Sequence, residues 1–364
     1  MSCYLIGMRA VATLLVLSTV SACSQDVTEP ERTPGAPGIS LLATSNTWTL
    51  RAPMPTPRKA LKAATVNGII YAIGGFGFAP NLGRNLIRPK VEAYNPGTNS
   101  WSTKRGLPEP LEPTGATTIN GKIYVAGGRS NERISKALYV YNPATNLWTR
   151  KADMPYKAST GIDPSNGAAF GGHQGAINGR LYVYLGATTN SDGTMGPQRF
   201  MRYTPSTNTW VTLKVPSFAR VGGVSAVYNG RFYILGGVLP SDVGGRAADV
   251  HVYNPATGTW SKLLLRGNAL ATTGLAYATT GGKLYVTGSE YADGFSHLNS
   301  VYNPATNTLT ELTARPRYAR ESAAGGAAKG QFYAIGGATC EQASGEVELC
   351  GPQGLSGAVE AYTP

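Results

Sequence analysis

Apolar positions in this chain fall into short runs, each closed by a turn. Ile69-Ile70-Tyr71-Ala72-Ile73 ends in Gly74-Gly75, Val91-Glu92-Ala93-Tyr94 ends in Asn95-Pro96, and Ser100-Trp101-Ser102-Thr103 follows at once. Runs this short, rich in β-branched and aromatic residues and bounded by Gly, Asn and Pro, read as strands. Asn-Gly pairs at 67–68, 120–121, 178–179 and 229–230 suit type I′ hairpins, which need positive φ at both central residues. Asn-Pro-Ala-Thr-Asn is itself a turn, with Pro presetting φ and Asn closing locally. One unit therefore reads as four antiparallel strands, a to d: Ala64-Thr65-Val66, the Ile69–Gly75 run, Val91–Asn95 and Ser100–Thr103.

The unit recurs six times. Tyr94 to Trp101 reappears as Tyr141 to Trp148, Tyr203 to Trp210, Tyr253 to Trp260 and Tyr302 to Leu309, always seven residues apart. All five Trp (48, 101, 148, 210 and 260) occupy this slot. The strand-ending Gly-Gly reappears at 127–128, 236–237 and 336–337, and has decayed to Gly186-Ala187 and Gly288-Ser289. With 46 Gly, 24 Pro and only 14% charged residues, helical bundles and coiled coils are excluded, and 42% apolar residues exclude wholesale disorder. The Tyr and Trp are rigid apolar surfaces suited to the gap between neighbouring sheets.

These landmarks resemble the kelch repeat over residues 46–364. The resemblance implies an all-β, six-bladed β-propeller. Such sheets could instead stack in a line, but the chain ends argue for a ring. Asn46-Thr47-Trp48 is a lone d strand, and Val359–Tyr362 is a c strand with no d strand after it. Residues 47–50 are therefore expected to pair antiparallel with 358–362, removing two exposed edges.

Ahead of the repeats lies an uncharged apolar run, residues 10–20, preceded by Arg9. It is shorter than the ~20 residues that span a bilayer and reads as a secretory signal. Val20-Ser21-Ala22-Cys23 resembles a bacterial lipobox, which implies removal of residues 1–22 and lipidation of Cys23; an ordinary signal peptide containing Cys is the alternative. Residues 23–45 then read as the lipidated Cys and a Pro/Thr/Gly-rich tether, about 70 Å when stretched. The expectation is a monomeric cell-envelope lipoprotein, bound to the outer membrane by its lipid alone, on the periplasmic or surface side. The formal charge of +12 would suit nucleic acid, but export argues against that partner. Cys340 and Cys350 are the two Cys left in the folded part, and an oxidising compartment favours a disulfide over two free thiols.

In this strand order the a–b and c–d turns share one face. They are short and uniform, as a purely structural face requires. The d–a and b–c connections share the other face and vary in length, so binding is expected there. The d–a connections are basic in sum and ring the channel mouth. Arg58, Arg220 and Arg320 stand at equivalent entries to strand a, which suggests a site for an anion or acidic sugar. Glu92 and Glu360 on c strands, with Glu321, could instead neutralise these arginines internally, and exposure distinguishes the two. His173 begins a channel-lining strand, and His251 reads as a packed strand residue. Phe76, Phe78, Tyr156, Tyr291, Phe295 and Tyr318 could stack on sugar rings.

Catalytic constellations are sparse. Glu290, Asp293 and His297 resemble the iron-binding Glu, Asp and His of plant specifier-protein propellers, one residue short in the first gap. Copper-radical chemistry of the galactose-oxidase type lacks its Cys, so no cofactor is expected. Bacterial sialate mutarotases resemble this chain in export, size and architecture, and that resemblance makes Glu290 the candidate catalytic acid; no Arg follows it before Tyr302. The expected function is thus binding of a protein or acidic glycan through the loop face, with a carbohydrate-active mutarotase or epimerase as the alternative.

Overall fold

At each Asn-Gly pair both residues take positive φ: 49° and 76° at Asn67-Gly68, 50° and 71° at Asn178-Gly179, and 46° and 67° at Asn229-Gly230. That geometry matches the twist of a strand pair, so every pair of this type closes an a–b hairpin. The computed structural model describes residues 45–364 except 80–81, 131–133, 157–171, 187–197, 218–221, 238–248, 268–269, 271–273, 289, 292–293, 296–297, 344–345 and 351–354. No helix occurs among the described elements.

Six antiparallel sheets follow one another, each in the order a-b-c-d. The first is Lys62–Val66, Ile69–Ile73, Val91–Asn95 and Ser100–Lys104. The second is Thr117–Ile119, Lys122–Arg129, Ile134–Asn142 and Leu147–Lys151. The third is His173–Ile177, Arg180–Leu185, Arg199–Thr204 and Thr209–Leu213, and the fourth Val224–Tyr228, Arg231–Leu235, Asp249–Asn254 and Thr259–Leu264. The fifth is Ala276–Thr280, Lys283–Thr287, Asn299–Asn303 and Thr308–Glu311. The sixth takes a, b and c from Ala324–Ala328, Gln331–Ile335 and Val359–Thr363, and its d strand is Thr47–Arg51 from the other end of the chain. Thr47 pairs with Thr363 and Arg51 with Val359, antiparallel.

Packing between sheets follows from alternation along each strand. One apolar cluster fills each seam. Tyr71, Ile73 and Val91 meet Ile123, Val125 and Tyr141 between blades 1 and 2. Ile70, Ala72 and Tyr94 meet Tyr333, Ile335 and Ala361 between blades 1 and 6. The repeated Tyr is buried, and its ring lies 5.1 Å from the repeated Trp in blade 1, 5.0 Å in blade 2 and 5.1 Å in blade 3.

The turn Asn does more than close its own turn. Asn99 takes φ 49°, and its Oδ1 accepts hydrogen bonds from the Tyr94 hydroxyl (2.7 Å) and from the Ala52 backbone N–H (2.8 Å) at the end of the preceding blade. Trp101 Nε1–H donates to the Ala52 carbonyl at 2.8 Å. Asn146 and Trp148 repeat the clamp on Arg105, as do Asn208 and Trp210 on Ala152. Tyr, Asn and Trp therefore recur at fixed spacing because together they staple one blade to the last.

The Gly-Gly landmark is needed where strand b exits. At Gly74 (φ 65°) a Cβ would lie 2.3 Å from the Leu111 carbonyl oxygen, so the next blade's d–a connection can pass only over a glycine.

Candidate functional site

A cavity of about 550 Å³ opens at the loop-face end of the channel. All six blades contribute where strand a begins: Lys62, Thr114, His173, Gly223, Leu275 and Ala323. Below it a second space of about 440 Å³ continues between the inner strands, walled largely by Ala and Gly. Lys62 and Tyr277 border both spaces and so stand at the neck.

The charged groups of the cavity come from d–a connections, from Lys62 at the start of strand a in blade 1, and from one unusual b strand. In blade 2, strand b runs on through Gly127-Gly128, with φ 66° and 137°, to Arg129. There Gly128 pairs with Pro113 and Arg129 with Glu112. A Cβ on Gly128 would lie 2.3 Å from the Glu112 carbonyl oxygen, so glycine permits this approach. Arg129 Nη2 then sits 2.7 Å, and Nε 2.9 Å, from Glu112 Oε2, and its guanidinium lies 4.8 Å from the centre of the Phe76 ring. Beside them, Lys59 pairs in register with Phe76, and its Nζ meets Glu321 Oε1 of blade 6 at 3.0 Å.

Lys62 makes no ion pair or hydrogen bond through its ammonium among the described residues. Burial pushes its pKa down, and the nearby Glu112 opposes that shift. Burial likewise pushes the Glu112 carboxyl up against the pull of Arg129. His173 is 2% exposed. Burial is the main cause that lowers its pKa from 6.5 to about 4; Lys62 adds to the shift, and the hydrogen bond to the Gly222 carbonyl opposes it. The ring is thus neutral at pH 7, with Nε2–H donating to Gly222 at 3.1 Å and the ring stacked 6.0 Å from Tyr184. That tautomer leaves Nδ1 an acceptor, and Nδ1 is buried with no partner among the described residues. Three cations and two carboxylates around one cavity leave a net positive charge, beside one unused acceptor.

The arginine site expected at the mouth is corrected. Arg58 and Arg320 are 0% exposed and line no cavity surface. Arg58 Nη2 bonds Glu92 Oε2 at 3.1 Å and Nη1 bonds the Lys90 carbonyl at 3.0 Å. Burial lowers the Arg58 pKa to about 10 while Glu92 pulls it up. Arg320 Nη2 bonds Glu360 Oε2, and its Nη1 reaches the carbonyls of Ala334, Gly336 and Ala358. Both turn inward because a carboxylate waits two residues before the repeated Tyr on the c strand of the same blade. They are structural ion pairs. Arg220, Asp293 and His297 lie outside the described residues. Glu290 and Tyr291 form a two-residue strand paired with Gly294 and Phe295; their side chains lie outside the described part, as do those of Cys340 and Cys350. His251 is a buried strand residue, 3.3 Å from Asp249. Of the aromatics, Phe76 reaches the cavity beneath Arg129, whereas Tyr156 is capped by Arg199 at 4.7 Å and bonds the Ser135 carbonyl.

Sequence reasoning missed Lys59, Lys62, Glu112 and Arg129. Only Lys59 was signalled, through the basic sum of the d–a connections; Lys62 lies in strand a, Arg129 in strand b, and Glu112 is an acid.

Six four-stranded antiparallel sheets with their inner strands around a central channel define a β-propeller. A family profile described as the Kelch motif matches residues 57–108, 110–155 and 219–263. The chain thus carries Kelch motifs on a propeller fold of the kelch type. It is 26% identical over 233 residues to Kelch-like protein 15 of Homo sapiens, covering 59% of this chain and 36% of that protein. It is 38% identical over 92 residues to the F-box/kelch-repeat protein At1g67480 of Arabidopsis thaliana, covering 25% and 23% of the two chains. The chain thus spans about a third or less of these relatives' lengths. Among solved structures, YjhT superposes with a TM-score of 0.59 at 15% identity, covering 83% of this chain and 95% of that one, which is a likeness of fold.

Proposed function

We propose that this propeller is a binding module whose loop-face cavity takes the acidic end of a glycan or a comparable small carboxylate. The observation that carries this reading is Lys62, a cation without a described partner at the neck of a 550 Å³ cavity, beside the open acceptor of His173. A ligand carboxylate would give the ammonium a counter-charge that offsets the hydration burial has removed. A ligand hydroxyl would satisfy Nδ1, and Phe76 offers a ring face for an apolar sugar patch. Within the same proposal, Cys23 carries the lipid and residues 24–45 tether the propeller to the membrane.

Calorimetric titration with N-acetylneuraminate, glucuronate and mannose tests the binding. The two acids should bind and mannose should not, and Lys62→Met should weaken the acids about tenfold. Acids that fail to bind, or bind Lys62→Met unchanged, overturn the reading.

One observation favours an enzymatic alternative of the mutarotase type. Glu112, His173 and Lys62, all with pKa values moved by burial, surround the same cavity, as acid–base chemistry requires. Anomeric exchange of N-acetylneuraminate, followed by NMR and accelerated by the protein, would select that reading over simple binding.

A further inference from the structure

On the opposite face, at the seam between blades 3 and 4, lies a cleft of about 470 Å³ lined by Arg180, Arg202 and Arg231, with Asn178, Asn229 and Tyr182. The sequence reading assigns this face to structure alone. The repeats themselves say otherwise at one position. The residue before the repeated Tyr of strand c is Ala93, Val140, Val252, Val301 and Ala361 in five blades. In blade 3 it is Arg202. A slot filled five times by a small apolar side chain does not need an arginine to make the fold.

The strand register fixes where this arginine goes. Arg202 pairs with Tyr182. Tyr182 and Phe200 face blade 4, packing with Phe232 and Tyr253, and alternation puts Arg202 on that same face. Its Nε is buried with no described partner. Arg180 and Arg231 occupy the same repeat position, just after the Asn-Gly turns of adjacent blades, and so flank it.

Nothing nearby neutralises the three. Across 172–186, 198–217, 222–237 and 249–264 the single acid is Asp249. It begins the c strand at the other face, about 17 Å from the turn, and is already bonded to Lys262 at 3.0 Å.

We propose that this cleft is an anion site for a phosphate ester. A phosphate carries close to two charges and three terminal oxygens. Guanidinium groups from three directions match that shape better than they match a planar carboxylate. The cleft is larger than one phosphate and leaves room for the group esterified to it. That group is either a small soluble molecule or the glycerol of a lipid headgroup.

Calorimetry with pyrophosphate at low salt tests the site. One saturable event is expected, weakening as salt rises. Arg202→Met should reduce affinity about tenfold, and the exposed Arg231→Gln, which has no packing to lose, about threefold or more. Lys122→Gln, at the equivalent position of blade 2 outside the cleft, should change nothing. Absence of saturable binding overturns the proposal, as does unchanged affinity in Arg231→Gln or an equal loss in Lys122→Gln. Two further arms separate the sources. Glycerol 3-phosphate competing with pyrophosphate points to a soluble ester. Cosedimentation with phosphatidate vesicles that Arg231→Gln abolishes points to a headgroup.

Discussion

Replacing Arg320 with Met separates a structural arginine from a binding one. Arg320 is fully buried, bonded to Glu360 and to three carbonyls. Its removal leaves Glu360, 1% exposed, without a counter-charge. Breaking a buried pair by deleting one partner costs about 3–5 kcal/mol. Glu360 would keep the backbone N–H of Arg317 at 2.7 Å and that of Tyr318 at 3.4 Å, so the loss should fall near the lower end, about 3 kcal/mol. Glu360→Leu strands a guanidinium that still has carbonyl acceptors but no counter-ion, and should cost about as much. Arg320→Met with Glu360→Leu removes both charges and should recover most of the loss, because two well-packed apolar groups carry no desolvation penalty. Urea unfolding of the four proteins gives the cycle, with the midpoint shifting and the slope constant. The same Arg320→Met protein should bind acidic sugars as the parent does, since Arg320 lines no part of the cavity. A single-variant loss under about 1 kcal/mol, or a double variant as unstable as the worse single one, would refute the buried-pair account.

Two further outcomes are expected. Because the folded pKa of His173 is about 4 against 6.5 unfolded, the unfolded chain takes up a proton that the fold refuses; stability is intact above pH 6.5 and falls by about 3 kcal/mol as pH drops to 4. Glu112, shifted the other way, opposes this, so the test is the difference between parent and His173→Phe, and an identical slope in both would sink it. Cys340 and Cys350 are directly opposed in the hairpin of Ala338–Ala343 and Glu346–Cys350, where antiparallel Cα atoms are about 4.5–5.5 Å apart and within disulfide range. Thiol titration of the unfolded protein after export should find neither Cys free, and reduction should lower stability by about 2–3 kcal/mol; two titrating thiols would count against the bond.

The fold was legible because every landmark is sampled several times over. One Tyr and one Trp seven residues apart mean little; the same pair at fixed spacing through the chain is a constraint on packing. The structure supplies the reason, since the Tyr hydroxyl, the turn Asn and the Trp N–H jointly hold the preceding blade. The pairing of Thr47–Arg51 with Val359–Thr363 was legible for a different reason, a strand missing at each end. The role of Asn as an inter-blade clamp was not, because its partners lie some 40 to 60 residues away and turn chemistry alone already accounts for an Asn at positive φ.

The arginines show how the site was misread, and what rule replaces the reading. Arg58 and Arg320 were singled out because they occupy equivalent repeat positions. In blades 1 and 6 equivalence is what a structural pair predicts: both carry the Arg together with a Glu two residues before the Tyr, blades 2, 3 and 5 place Tyr139, Met201 and Ser300 there with no such Arg in the strand-a entry, and blade 4 alone has an Arg at the entry, Arg220, with His251 in the Glu slot. A group that the fold needs is repeated along with its partner. The groups that reach open cavities do the reverse. Arg129 exists at the mouth because one b strand runs on past its Gly-Gly, and Lys62 stands alone at its slot. Arg202 replaces an Ala or Val that the other blades share. Burial makes the distinction physical. A charge repeated inside the scaffold must be neutralised there, or each copy would carry a desolvation cost. A charge introduced once, at a cavity wall, is under no such constraint: Arg129 finds Glu112 at the mouth, whereas Lys62, with no described partner, is placed to take its counter-ion from outside.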